Sequence, residues 1–239
     1  MTYNVHGGFG SDMRYDPNRV LRVISAANPD VVALQELDVG RNRSRGFDQA
    51  SWFAKRLSMN FEFVRARDCA RGGGCFGNAV LSRYALSSSG ARELPQIHDS
   101  SERRIAQLVR VAGPGMTLDV FNTHLGLRPK ERHLQCEALL GWISAEPSTG
   151  HVLCGDLNAA PGSLPYMKLT GLMRDAQTAL ADRRARSTWP SIWPVLRLDH
   201  VFVGRGLRII HHHVPMDTGA RLASDHLPLV VDLAAEPCA

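Results

Sequence analysis

Five short apolar runs in this chain stop on residues that hold ions or carry protons, and this constrains the fold more than any other feature. Thr2-Tyr3-Asn4-Val5-His6-Gly7 ends in an amide and an imidazole. Val31 to Leu34 runs into Gln35-Glu36, and Val120-Phe121-Asn122-Thr123 runs into His124. Val152-Leu153-Cys154-Gly155 leads to Asp156-Leu157-Asn158, and Ser224-Asp225-His226 precedes Leu227-Pro228-Leu229. Runs of this length suit strands buried on both faces better than helices. Polar groups released where rigid strands end form a cleft, so one edge of a sheet structure is expected to carry the chemistry.

The donor types narrow that chemistry. Asn4, Glu36 and Asp225 offer oxygen, and no cysteine pair at zinc spacing or His-Glu-x-x-His accompanies them. Hard oxygen donors suit Mg²⁺ or Mn²⁺. A site of that kind activates water and neutralises phosphate charge. Asp156, His124 and His226 are then candidates for proton transfer and transition-state stabilisation. Asp199, in Leu198-Asp199-His200-Val201-Phe202, is a candidate for the acid that orients a histidine and keeps it protonated.

Between these points the chain reads as mixed α/β. Asp16-Pro17 caps a helix that buries Val20, Leu21, Val23 and Ile24 before Asn28-Pro29 stops it. A second helix is expected over 47–57 with Trp52, Phe53 and Leu57 inward. A third opens at Pro129 with Leu134, Leu139, Leu140 and Ile143 as its apolar stripe, and a fourth lies near 164–169. Strands are expected at 61–64, 76–81, 105–111, 117–122, 151–154, 198–203, 207–213 and 227–233. Strands outnumber helices and often follow one another, which favours two packed sheets with helices outside over strict βαβ alternation. The 239 residues suit one domain, 1–239, and the 44% hydrophobic content is globular. No stretch approaches the ~18 apolar residues of a membrane span, and no basic-then-apolar leader opens the chain, so a cytoplasmic protein is expected.

The ordered set Thr-Tyr-Asn-Val-His-Gly, Ala-Leu-Gln-Glu, Gly-Asn-Ala-Val-Leu-Ser-Arg (77–83), Asn-Thr-His-Leu, Gly-Asp-Leu-Asn, Leu-Asp-His-Val-Phe and Ser-Asp-His-Leu-Pro resembles the endonuclease/exonuclease/phosphatase superfamily. The resemblance runs from Thr2 to about Leu233. It implies a four-layer α/β sandwich, two mixed sheets face to face with flanking helices and the site at one edge. It also implies hydrolysis of a phosphoester with Mg²⁺ or Mn²⁺. Glu36 resembles the principal metal ligand, with Asn4 and Asp225 close by. Asp156 resembles the acid that orients or deprotonates the attacking water, and Asn158 the amide on the scissile phosphate. His226 resembles the histidine that stabilises the transition state, with Asp199 as its orienting acid. His124 resembles a second phosphate-contacting histidine, and Glu102 is positioned like the acid that pairs with it. Members of that superfamily usually carry several more residues completing the first strand. Those that act on abasic DNA have a tyrosine where this chain has Asn122-Thr123-His124-Leu125, so that substrate is disfavoured.

The substrate is left open between nucleic acid, a phospholipid head group and a phosphorylated metabolite. Arginine dominates the 28 basic residues and the net charge is +5, which suits an anionic partner without naming one. Arg41, Arg43, Arg45, Arg65, Arg67 and Arg71 could line a backbone-tracking groove. Trp189-Pro190-Ser191-Ile192-Trp193-Pro194 reads as a cleft wall, with an exposed membrane-seeking hairpin as its rival. A non-catalytic scaffold of the same fold is the third reading, and a monomer is expected. His211-His212-His213 alternate faces and read as structural, as at most one of Arg103 and Arg104 should reach a phosphate. His6 is close enough to Asn4 to line the cleft. Cys136 and Cys154 read as buried small hydrophobes, Cys69 and Cys75 as reduced thiols around a flexible glycine loop at 72–74.

Overall fold

The computed structural model describes residues 1–68, 73–147 and 150–236. β1 (Thr2–Asn4) lies parallel to β2 (Val31–Val39), with Thr2 opposite Ala33. α1 (Pro17–Ala27) joins them. The Asp16 carboxylate accepts the Asn18 N–H at 3.1 Å, and Asn28 turns left-handed to stop the helix. α2 (Gln49–Leu57) follows, capped by Asp48. β3 (Asn60–Asp68) and β4 (Cys75–Ser82) complete a four-stranded sheet in the order β1-β2-β4-β3.

The second sheet has six strands. β5 (Ala85–Glu93), β6 (Ile105–Gly113) and β7 (Met116–His124) form an antiparallel meander. After α3 (Pro129–Ala145), β8 (His151–Asp156) returns parallel to β7. α4 (Leu164–Leu172) leads to β9 (Arg174–Asp175), and β10 (Asp199–Val203) sits between β8 and β9, antiparallel to both. β11 (Leu207–His213) and β12 (Val230–Ala235) pair with each other, with α5 (Thr218–Ala223) between them. The chain therefore forms two large mixed sheets with flanking helices, as its pattern implied.

Layering follows from period-two alternation. Val120 and Val152 point between the sheets into a core shared with Leu34, Val80 and Val109. Their neighbours Phe121 and Leu153 point the other way, onto Leu139, Trp142 and Ile143 of α3. That is why Val120-Phe121 in β7 and Val152-Leu153-Cys154 in β8 carry apolar side chains on both faces. The inter-sheet layer is not wholly apolar. Buried Asn122 donates to the Leu34 and Ala79 carbonyls at 3.1 and 2.9 Å and accepts from Gln35 Nε2 at 2.8 Å. Gln35 reaches on to Thr2 Oγ1, so side chains from three strands rivet the sheets together.

Several boundaries differ from expectation. β5 was not foreseen, because a Ser-Ser-Ser-Gly strand at a solvated sheet edge has no apolar alternation to announce it. On α3 Leu134 faces solvent, and Gln135, Cys136 and Trp142 occupy the inner face. Trp52 is only partly covered, with the Arg56 guanidinium 4.1 Å above its ring. β12 starts at Val230, three residues late, because Leu229 is spent on a backbone pair with Thr2. Cys136 and Cys154 are buried as expected. Cys69, Arg71 and Gly72 lie outside the described residues. No described helix is long and apolar enough to cross a membrane.

Candidate active site

Strand register assembles the site. Parallel pairing of β7 with β8 sets His124 opposite Asp156, and antiparallel pairing of β8 with β10 sets Asp199 opposite the same Asp156. Three adjacent strands thus present a histidine and two acids in one row. The other sheet contributes Asn4 from the end of β1 and Glu36 from β2. Pairing of β2 with β4 shifts register between Leu34 and Leu37, and Glu36 inside this bulge has φ +61°. Asn158 and His6 also have positive φ, +47° and +48°. Left-handed backbone at non-glycine residues costs free energy, and these three positions border one cleft.

Asn4 is the hub. Its Nδ2 donates to Glu36 Oε1 and to Asp156 Oδ2, both at 3.0 Å, and so ties the two sheets together at the cleft. Its Oδ1 accepts the His6 N–H at 3.0 Å, and its carbonyl accepts Ser224 Oγ at 2.8 Å. Asp156 Oδ1 accepts the Asn158 N–H at 2.9 Å. Asp156 Oδ2 lies 3.3 Å from His124 Nε2 and 3.5 Å from His226 Nε2. The other ring nitrogen of His226, Nδ1, is 2.8 Å from Asp199 Oδ2. Asn158 Nδ2 donates to the Leu125 carbonyl at 2.9 Å and approaches His124 Nε2 at 3.1 Å.

The two histidines are driven to opposite charge states. Burial pulls the His226 pKa down, but the carboxylates of Asp199, Asp156 and Asp225 outweigh it and push it up to about 10. His226 is therefore an imidazolium at neutral pH, oriented by Asp199. Burial, the Arg104 guanidinium and the His226 charge hold His124 well below the usual range, so it is neutral. Asp156 is raised to about 7, first by burial and then by the Asp199 charge, against the stabilising pull of His226 and the hydrogen bonds from Asn158 and Asn4. A carboxylate with that pKa is poised to exchange a proton near neutrality.

The donor set suits a hard divalent cation. Asp156 and Asp199 place carboxylate oxygens within 4.8 Å of one another beside His226, whose imidazolium has no lone pair to lend an ion, and Asp199 Oδ1 is buried without a hydrogen-bond partner among the described residues. Glu36, Asn4 and Asp156 are joined directly. For Asn4 to ligate an ion held by Glu36 or Asp156 its amide must turn over, because Nδ2 rather than Oδ1 faces those carboxylates. Asp225 stands at the mouth, partly exposed, with Oδ1 3.6 Å from His6 Nδ1. His6 lines the cleft beside it.

Glu102 departs from expectation. Its carboxylate lies 3.1 Å from Arg104 Nη2 and 3.5 Å from Arg67 Nη2, and the acid near His124 Nδ1 is Glu36, at 3.8 Å. The end of β3 brings Arg67 to Glu102, and the charge complementarity of two guanidiniums takes the carboxylate away from a neutral imidazole. Arg103 is exposed and Arg104 buried, as alternation requires. Sequence reasoning missed Ser224, whose hydroxyl supports Asn4 and accepts the His226 N–H at 3.3 Å. Its place directly before Asp225-His226 was the available signal.

The Endonuclease/Exonuclease/phosphatase family model matches residues 1–226. An uncharacterized protein of Escherichia coli, YbhP, is 29% identical over 245 residues, covering 98% of this chain and 94% of that protein. Among solved structures, an endonuclease/exonuclease/phosphatase from Beutenbergia cavernae superposes with a TM-score of 0.75 at 24% identity, over 98% of this chain and 70% of that one. A mannosyl-6-phosphatase from Bacteroides thetaiotaomicron gives 0.75 at 17% identity, over 98% of each chain. The human Nocturnin catalytic domain, with a bound sulfate anion, gives 0.72 at 21% identity, over 98% and 92%. With its two face-to-face mixed sheets and the acid–histidine row at their edge, the chain belongs to the endonuclease/exonuclease/phosphatase family of phosphoester hydrolases.

Proposed function

We propose that this chain is a Mg²⁺- or Mn²⁺-dependent phosphoesterase that hydrolyses a phosphodiester by in-line attack of water. The observation that carries the reading is the placement of Asp156 between a neutral and a charged histidine, 3.3 and 3.5 Å away. Asp156, with its pKa near neutrality, orients the attacking water and takes its proton at a carboxylate oxygen. The His226 imidazolium, held by Asp199, donates hydrogen bonds to the phosphoryl oxygens as charge builds there. His124 and the Asn158 amide position the phosphate from the other side. Glu36, with Asn4 and Asp225, would hold the divalent ion, which supplies Lewis-acid stabilisation of the phosphate charge when bound.

Of the arginines expected to line a backbone-tracking groove, Arg41, Arg43, Arg45, Arg65, Arg67 and Arg71, those among the described residues all have contacts within the protein, Arg65 with Asp68 and Arg45 over the Tyr15 ring. Arg41 and Arg43 both grip the fully buried Asp38 carboxylate, at 2.9 and 2.7 Å, and Arg67 leans on Glu102. This reduces the support for a nuclease and leaves the ester open to a lipid or metabolite. Turnover of bis(p-nitrophenyl) phosphate and of p-nitrophenyl phosphate, with Mg²⁺, Mn²⁺ or chelator, tests the reading. Metal-dependent cleavage of the diester, lost in Asp156→Asn and His226→Ala, is expected. Full activity in either variant refutes it.

A further inference from the structure

The connections of this sandwich fall at two edges, and among the described residues the most exposed large apolar side chains stand on those of the site edge, while the other edge carries Phe61 at the start of β3 and Leu172 at the end of α4, 39% and 45% exposed. At the edge away from the site, the described turns at 28–30, 83–84, 114–115 and 204–206 carry none. At the site edge nearly every connection carries one. Met13 lies after β1, Phe47 after β2, Ile97 after β5, Leu127 after β7, Leu164 at the start of α4, and Trp193 in the long segment before β10. Met13 is 68% exposed, Leu127 71% and Trp193 79%. Single exposed apolar residues are ordinary, and Leu134, Met167 and Ile210 are examples elsewhere, but the gathering of the most exposed ones on the rim of one cleft is a directional surface.

The two most exposed tips are held from beneath. Ser191 is buried, donates its N–H to the Asp225 carbonyl at 2.8 Å, and bonds through its hydroxyl to the Ser224 carbonyl at 2.7 Å. Arg221 Nη1 donates to the Ser191 and Ile192 carbonyls, so Trp193 projects from a segment bolted to the His226 loop. On the opposite side, Arg132 Nη1 donates to the Gly126 and Leu127 carbonyls at 3.2 and 3.0 Å, three residues beyond His124. Exposed cations adjoin two of these tips, Arg14 after Met13 and Arg128 and Lys130 after Leu127, and Arg183, Arg184 and Arg186 are exposed earlier in the segment that carries Trp193, while the exposed acids Asp12 and Asp48 adjoin Met13 and Phe47. Apolar tips interleaved with cations match the boundary between acyl chains and anionic head groups. Two of the six tips, Phe47 and Trp193, carry a ring, and they stand on separate loops, whereas single-strand nucleic-acid platforms stack successive bases on aromatic side chains.

We infer that this edge is a membrane-docking face that seats on an anionic phospholipid surface, so that the ester presented to the Asp156–His226 cleft belongs to a lipid head group. The inference rests on the phosphoesterase reading only for its second clause. Docking itself is read without turnover, by flotation with vesicles of phosphatidylcholine alone or mixed with phosphatidylglycerol, in chelator. The protein should float with the anionic vesicles and about tenfold less with the neutral ones, and salt should weaken the binding. Brominated acyl chains should quench its emission, and Trp193→Phe should lose most of that quenching. Leu127→Ser combined with Trp193→Ser should reduce flotation at least about tenfold with unchanged melting temperature and unchanged cleavage of the soluble diester. Met13→Ser combined with Ile97→Ser, on separate loops, should do the same. Absence of flotation with either vesicle, wild-type flotation by both variants, or tighter binding to a single-stranded oligonucleotide that the same variants weaken would each overturn docking. Loss of diester cleavage in the wild-type protein would instead count against the phosphoesterase reading.

Discussion

Asp199 has one polar contact that matters for the chemistry, and it decides the charge of His226. With Nδ1 held at 2.8 Å by Asp199, the opposite nitrogen faces Asp156 and the cleft. Asp199→Asn keeps the shape and removes the charge. We expect kcat to fall by about two to four orders of magnitude with a small change in KM, because His226 then loses its proton near neutral pH. The check is the pH profile of kcat: its alkaline limb should move to lower pH in the variant, which a purely structural defect would not cause. Most of this residue-level picture is legible in the sequence, since Asp156, Asn158, Asp199 and His226 all stand in motifs at strand ends. Glu102 shows the limit. Its assignment to His124 required knowing which guanidiniums the end of β3 delivers, and no local pattern encodes that.

At the scale of elements, the apolar runs located the central strands and Asp16-Pro17 announced the first helix, whereas the Asp48 cap starts α2 two residues inside the 47–57 expectation. What escaped were elements without an apolar signature. β5 pairs with β6 through its backbone while its serines face water, and the β2 bulge that turns Glu36 is a change of register rather than of composition. Two positions show how tightly the strands are fitted. A Cβ at Gly155 would lie 1.9 Å from the Thr123 carbonyl oxygen, and its φ is +150°. Gly155→Ala should therefore force β7 from β8 beside the His124–Asp156 pair, costing about 2–4 kcal/mol in urea unfolding. Asn122 belongs to a quoted motif, yet its work is structural. Asn122→Leu strands Gln35 and two buried carbonyls, and a loss of about 2–4 kcal/mol is expected by the same measurement. A change below about 0.5 kcal/mol would mean that the network carries no net stability.

For the molecule as a whole, the candidate site lies at the seam between the sheets, so binding of the proposed cation there would be linked to folding. Without a cation, the seam holds the carboxylates of Glu36, Asp156 and Asp199 close together, relieved mainly by the His226 charge. The folded pKa of Asp156, about 7, exceeds that of an unfolded aspartate, about 3.9. The folded state therefore binds the extra proton, and its stability falls as pH rises from about 4 through 7. His226, raised to about 10, acts in the same sense: its contribution is complete below about 6.5 and is lost as pH climbs through 10. In chelator the melting temperature should thus decline from pH 5 to pH 9. A divalent cation favours the deprotonated carboxylates, so Mg²⁺ or Mn²⁺ should restore more stability at pH 8 than at pH 5. Saturation at about 100 times Kd corresponds to about 2.7 kcal/mol, and at about 2–4 °C per kcal/mol for a chain of this length the shift at pH 8 is about 5–10 °C. Glu36→Gln should abolish most of that shift while leaving the chelated protein at least as stable, since it removes one of the crowded charges. A metal-induced shift of equal size in Glu36→Gln would move the ion away from β2 and onto the Asp156 and Asp199 carboxylates, with His226 joining them only by giving up its proton.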